Sequence, residues 1–187
     1  MNQQCAAPAL PVIADADPAD RLARLSDAHY DRLYRLARRL APNADDALDL
    51  VQEAFLRAAR CPKSIPRGAS NEEAWLVRVL INIRRDQWRR VSVRARHQET
   101  ALQAGRHDSN TRNPEPALIA RAAVWQALDV LPPRRRAIVV MHELEELPVS
   151  KIASLLGISA ITVRWHLAMG RRDLARALKT SGGLTHE

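Results

Sequence analysis

Lysine is nearly missing from this chain. Lys63, Lys151 and Lys179 are the only three in 187 residues. Cysteine is as scarce: Cys5 and Cys61, with no neighbouring histidine, supply neither a disulfide framework nor a zinc ligand set. No run of about 18 apolar residues occurs, so no membrane-spanning helix is expected. The first 20 residues have no basic n-region and are broken by Pro8, Pro11 and Pro18. They do not read as a signal peptide, and a reducing cytoplasm is the expected setting. There is no glycine-rich phosphate loop and no G-x-S-x-G elbow. His142-Glu143-Leu144-Glu145-Glu146 opens like the zinc motif H-E-x-x-H, but its fifth position is glutamate. No metal, cofactor or catalytic centre is therefore expected, and no small-molecule substrate.

What the chain has is arginine. With three lysines among 29 basic residues, 26 are arginine, and the net charge is +8 with a pI near 10.6. Genome base composition can raise the arginine-to-lysine ratio, but it does not explain the net charge, which favours a polyanionic partner. Arginine also makes bidentate contacts to phosphate and guanine that lysine cannot.

No segment alternates like a strand. Leu22, Leu25, Leu33, Leu36 and Leu40 recur at helical spacing from Arg21 to Leu40. Ala41-Pro42-Asn43 ends that helix. Asn43 can cap a second, running from Ala44 to about Arg60, with Asp45 and Asp46 in its first turn. Pro62, Pro66 and Gly68 mark a loop. Ser70 followed by Glu73 fits a capping box for a helix from Asn71 to about Arg94, with Trp75, Leu76, Val79, Leu80 and Ile83 on its apolar face. A further helix runs from Ala117 to Leu131, and Pro133 opens another that continues to about Glu146. The expected fold is all-α, with two compact helical domains joined by a flexible linker. A tail occupies residues 1–20, the first domain 21–95, the linker 96–116, the second domain 117–180 and a second tail 181–187.

The clearest pattern is Val149 to Leu174. Ile152, Leu155 and Leu156 form an apolar stripe, Gly157 makes a turn, and a following helix carries Val163 and Leu167. This is the pattern of a helix-turn-helix, whose second helix can enter the major groove of DNA. That helix also carries Arg164, Trp165, His166, Arg171 and Arg172. Arg164 and Arg171 are seven residues apart and share one face. Trp165 is open between packing on the preceding helix and contacting DNA.

Charge is segregated upstream of it. Residues 41–56 carry a net charge of −4 from Asp45, Asp46, Asp49 and Glu53, and residues 84–96 carry +5. An acidic helix cannot help to bind DNA, so it must face solvent or a protein partner.

Sequence detail favours the partner. Asp49-Leu50-Val51-Gln52-Glu53-Ala54-Phe55 resembles the core-binding motif of bacterial sigma factors, D-L-V-Q-E-x-F. Asn71 to Arg90, NEEAWLVRVLINIRRDQWRR, is similar to that family's promoter-melting helix. Leu128 to Arg136 resembles its L-x-x-L-P-x-x-x-R signature, and Ile152 to Val163 its helix-turn-helix. The resemblance covers roughly residues 26–178, and its two-domain layout is similar to the extracytoplasmic-function (ECF) class.

The resemblance implies a subunit that gives RNA polymerase its promoter specificity and does no covalent chemistry. Core polymerase would be bound through Asp46, Asp49, Leu50, Gln52 and Glu53 against the β′ clamp helices, with further contacts to the β subunit. Lys63, Ser70, Asn71, Asn82, Arg84, Arg85, Arg89 and Arg90 would hold and open the −10 element, capturing flipped bases near the loop from Lys63 to Asn71. Ser159, Thr162, Arg164, Trp165, Ala168, Met169, Arg171 and Arg172 would contact the −35 element. Members are often held inactive by a membrane-bound anti-sigma partner, which would keep the chain at the inner membrane. The chain departs from the pattern at Lys151, Ile161, Trp165 and Met169, where the family commonly has an acidic residue, glycine, a small polar residue and arginine. Two other readings fit parts of the sequence: a free-standing helix-turn-helix regulator, and a helical protein that docks only on other proteins.

Overall fold

A computed structural model describes residues 18–98 and 116–182. Most of the two expected tails and of the expected linker lies outside these residues. Within them the chain is all helical, in two clusters. The first comprises α1 (Pro18–Leu40), α2 (Ala44–Arg60), a 3-10 turn (Pro62–Ser64) and α3 (Ala69–Gln98). The second comprises α4 (Pro116–Asp129), α5 (Pro133–Val139), a π-helical turn (Val140–Leu144), α6 (Val149–Leu156) and α7 (Ala160–Gly182). The first cluster thus starts three residues earlier than the spacing predicted, and α3 runs on into the expected linker.

The leucine stripe of α1 is buried at Leu25, Leu33, Leu36 and Leu40 against Leu50, Val51 and Ala54 of α2. Asn43 caps α2 as its sequence suggests, its side-chain oxygen accepting the Asp46 amide at 2.8 Å. The start of α3 differs from expectation. Gly68 takes a left-handed φ of 97°, and its carbonyl accepts from the amides of Asn71 and Glu72, both at 2.9 Å. Ser70 therefore lies inside the first turn and caps nothing. Glu73 turns instead to Arg32 of α1 at 3.3 Å and to Lys151 of α6 at 3.7 Å.

Nor is the helix from Pro133 continuous. It widens after Val139 into the π turn, closed by the Glu145 amide on the Val140 carbonyl at 3.2 Å. Glu146 then reverses the chain at φ 54°, which is strained for a residue with a β-carbon. The widening keeps Val140 and Met141 in the core and turns Glu145 towards the first cluster. Gly157, at φ 64°, ends α6 with its amide on the carbonyls of Ala153 and Ser154. The chain bends by 107° between α6 and α7, within the range of a helix-turn-helix.

The two clusters pack into one contiguous core. α3 lies against α5 and α6, and α1 touches α5. Polar contacts cross the same seam. Glu145 is 8% exposed and accepts from Arg32 at 2.5 Å and Arg39 at 3.1 Å. Arg136 is 3% exposed; it donates to the Arg39 carbonyl at 2.9 Å and pairs with Asp129. Arg78 donates to the Leu155 carbonyl at 3.2 Å. Buried charges are tolerated only when paired and hydrogen-bonded, and Glu145 and Arg136 satisfy both conditions.

Helix α7 reaches α5 through Gly170. A β-carbon there would come within 2.5 Å of a methyl of Val139, which is buried and stiff at χ1. Gly170→Ala should therefore destabilise the protein by about 1–2 kcal/mol, overpacking outweighing the higher helix propensity of alanine. Urea unfolding checks this; an unchanged or higher midpoint would contradict the close approach.

Candidate nucleic-acid and partner interfaces

Helix α2 buries Ala47, Leu50, Val51, Ala54 and Ala58 and turns Asp45, Asp49, Gln52 and Leu56 outward. Leu50 is fully buried, so of the five expected partner-binding residues it acts by positioning the helix rather than by contact. Asp46 sits at the exposed N-terminus, bonded to Asn43. Asp49, Gln52 and Glu53 line a cleft of about 470 Å³ between α2 and α3, with Leu56, Arg57, Ile83, Asp86, Gln87 and Arg90. Glu53 pairs with Arg57 one turn on, at 3.0 Å. Leu56 is 48% exposed, an apolar centre with Asp49, Glu53 and Asp86 around it and Arg57 and Arg90 at the edges. This suits a helix bearing basic and apolar groups.

The expected −10 residues divide. Successive turns of α3 bring Asn71, Arg78, Asn82, Arg85 and Arg89 to one side. Lys63, Ser70 and Asn71 are exposed around the start of the same helix, and the Asn71 side-chain amide is held by the Arg67 carbonyl at 3.0 Å. Arg84 points the other way, donating to the Leu40 carbonyl at 3.0 Å. Burial there, with Arg136 close by, pulls its pKa below the ordinary arginine value, though Asp129 and Asp46 oppose the shift. Arg90 lines the acidic cleft. The structure therefore groups Asn82, Arg85 and Arg89 and separates Arg84 and Arg90 from them. Trp75 packs against the core as its position on the apolar face predicts.

In the second cluster α7 presents the exposed face. Val163, Leu167 and Gly170 are buried, and Ile161, Arg164, Trp165, Ala168, Arg171 and Arg172 are exposed. Ser159 caps the helix: its hydroxyl accepts the Thr162 amide at 3.1 Å and meets the Thr162 hydroxyl at 2.8 Å. Arg171 is tied to Glu143, both nitrogens donating to one carboxylate oxygen at 2.9 and 2.7 Å. Arg164 and Arg171 share a face as expected, but only Arg164 extends without a carboxylate partner among the described residues. Met169 is half-buried on the flank.

Trp165 does not pack into the core. Its ring is 53% exposed, with the Arg135 guanidinium over it at 5.6 Å and the His166 ring against its edge at 4.9 Å. Arg135 is held in turn by Asp173. Arg135 and Leu56 were not among the expected site residues, and Ile161 was expected only as a departure from the family pattern. Helical spacing alone could have found Ile161, which lies four residues before Trp165. Among the described residues no group of three acidic, histidine or cysteine side chains could hold a metal ion, and no single helix is long and apolar enough to cross a membrane.

Comparison with known proteins is consistent with this layout. The Sigma-70 region 2 family profile matches residues 25–94, and the Sigma-70, region 4 profile matches residues 121–174. The chain is similar to the ECF RNA polymerase sigma factor SigE of Mycolicibacterium smegmatis, 38% identical over 151 residues that cover 78% of this chain. It spans only 57% of that relative's length. It is also similar to the RNA polymerase sigma-E factor of Streptomyces avermitilis, 35% identical over 80% of this chain and 86% of the relative. The sigma factor RpoE from Bartonella quintana, solved with the anti-sigma factor NepR, shares the fold at a TM-score of 0.56 and 21% identity, over 87% of this chain and 97% of that one.

The second cluster carries a pH signature. Burial, then the charges of Arg135 and Arg134, lower the pKa of His166 below 6.5. The folded state thus resists a proton that the unfolded chain accepts. Stability is lost as pH falls from 6.5 through the lowered value. His166→Asn should remove that part of the acid sensitivity, so the stability gap between wild type and variant should change on acidification. A gap independent of pH would contradict the assignment.

Proposed function

Given that this chain belongs to the ECF sigma factors of the sigma-70 family, we propose that it binds core RNA polymerase through the α2–α3 cleft and grips promoter DNA at two points. In this reading α7 lies in the major groove of the −35 element, while Asn82, Arg85 and Arg89 of α3 track the −10 element as it opens. Polymerase makes the bonds; the chain supplies specificity. Melting follows if unpaired bases bind better than paired ones. The observation that carries this reading is the opposition of surfaces: the outer face of α2, with Asp45, Asp49 and Gln52 near exposed Leu56, and the Asn82, Arg85 and Arg89 face of α3 are different sides of one helix pair. A free-standing regulator has no use for the first of these.

The reading makes a demand on the packed arrangement. The elements centred near −35 and −10 are about 25 base pairs apart, or about 85 Å at roughly 3.4 Å per pair. A compact body of about 150 residues has a radius of gyration near 15 Å, so it measures roughly 40 Å across. The seam held by Glu145, Arg136 and Arg78 must therefore part when the chain loads onto polymerase and promoter. Parting also takes Arg136 and Asp129 away from Arg84, whose own bond to the Leu40 carbonyl lies within the first cluster. A cytoplasmic site of action goes with this function, and control by an anti-sigma partner fits the family.

Two measurements test these statements. Asp49→Lys with Glu53→Lys should weaken core binding by about tenfold or more, since reversing charges at a complementary interface costs several kcal/mol. The helix content should be unchanged because both side chains lie on the outer surface. Undiminished affinity would remove the docking assignment. Spin labels on Cys61 and on Ala175→Cys, with Cys5 replaced by serine, should move apart on adding core polymerase. Glu145→Gln should populate the longer distance even without polymerase. One unchanged distance in every state would contradict opening.

A further inference from the structure

The outward pole of the recognition helix is apolar, which the family pattern does not explain. With Val163, Leu167 and Gly170 facing in, the opposite side of α7 is formed by Ile161, Trp165, Ala168 and Arg172. Ile161 is 76% exposed, the most exposed of the large apolar residues described, and Trp165 follows it one turn later. Both stand where the family commonly has glycine and a small polar residue.

We propose that Ile161 and Trp165 form a ridge that reads thymine methyl groups in the −35 element. This rests on the reading that α7 lies in the major groove there. Three observations carry it. The indole is held in place, with Arg135 over one face at 5.6 Å and Asp173 fixing that arginine. That contact favours the outward-projecting position of the indole. The ridge is bordered by Arg164 and Arg172, so its surroundings are basic while its crest is neutral. Of the base edges in the major groove, only thymine offers an apolar group, its C5-methyl, and phosphates line both sides of that groove. A basic border with an apolar crest complements that surface, whereas an apolar protein partner would leave the arginines unpaired. Ile161 and Trp165 are about 6 Å apart along the helix, roughly two base-pair steps. The ridge therefore favours two A·T pairs one or two steps apart, where an arginine at the crest would favour guanine.

The test uses the full chain assembled with core polymerase. Duplexes randomised across the −35 element are selected for binding, and A·T pairs should be enriched at two neighbouring positions. Each enriched thymine is then replaced by uracil, which removes only the methyl group. Affinity should fall about fourfold per replacement, the effect of uncovering one methyl-sized group. Trp165→Ala should abolish the uracil penalty at one of the two positions while binding persists, and Trp165→Phe should largely retain it. Enrichment of G·C at both positions, or indifference to uracil, would overturn the proposal while leaving the −35 assignment of α7 intact. Loss of core association in Trp165→Ala, with −35 preference unchanged, would assign the ridge to a protein contact and overturn it equally. If no −35 sequence is enriched at all, the promoter-reading role of α7 fails and the ridge proposal falls with it.

Discussion

Helix α3 has to pack against both clusters at once, and most of the structure follows from that. Leu76, Val77, Leu80, Ile81 and Ile83 bury a wide arc of its surface, too wide for α1 and α2 alone to cover. α5 and α6 take the remainder, and so the two clusters meet on this helix. Its polar side is left for Asn82, Arg85 and Arg89, and its edge with α2 forms the acidic cleft. One element thus carries the proposed partner groove, the proposed nucleic-acid face and the seam between clusters.

The seam combines apolar packing with buried polar contacts. Glu145 is nearly out of reach of water, and its two guanidinium partners make that tolerable. A purely apolar seam would hold the clusters together permanently. One fixed by a buried carboxylate and a few arginine-to-carbonyl bonds can exchange those partners for water, phosphate or polymerase when the clusters part. Arg84 lies beside the seam, near Arg136 and Asp129, but its bond to the Leu40 carbonyl joins α3 to α1 within the first cluster.

Local features were legible from the residues alone. Asn43 caps α2, Gly157 ends α6 in the left-handed region, and Leu25, Leu33, Leu36 and Leu40 fall on one buried stripe, because each depends on neighbours within a few positions. Features set by distant residues were not. Ser70 and Glu73 have the spacing of a capping box, yet Gly68 reverses the chain first and Glu73 finds Arg32, 41 residues away. The π turn after Val139 replaces what reads as one helix, because the turn must aim Glu145 at Arg32 and Arg39, more than 100 residues upstream. Leu50, placed in the partner-binding motif by its neighbours, is buried by α1 and α3.

By itself the sequence determined the helices, the helix-turn-helix, the separation of acidic and basic segments and the family to which these belong, since periodicity, caps and charge order are written in consecutive residues. Only the tertiary structure decided which charges face outward together. It turned Arg84 inward and Arg90 into the acidic cleft, tied Arg171 to Glu143, and raised Ile161 and Trp165 to the crest of α7. The physical reason is that a side chain's role depends on what lies opposite it across the fold. For a chain with 26 arginines among its 29 basic residues, that is what separates a structural guanidinium from one left to meet DNA.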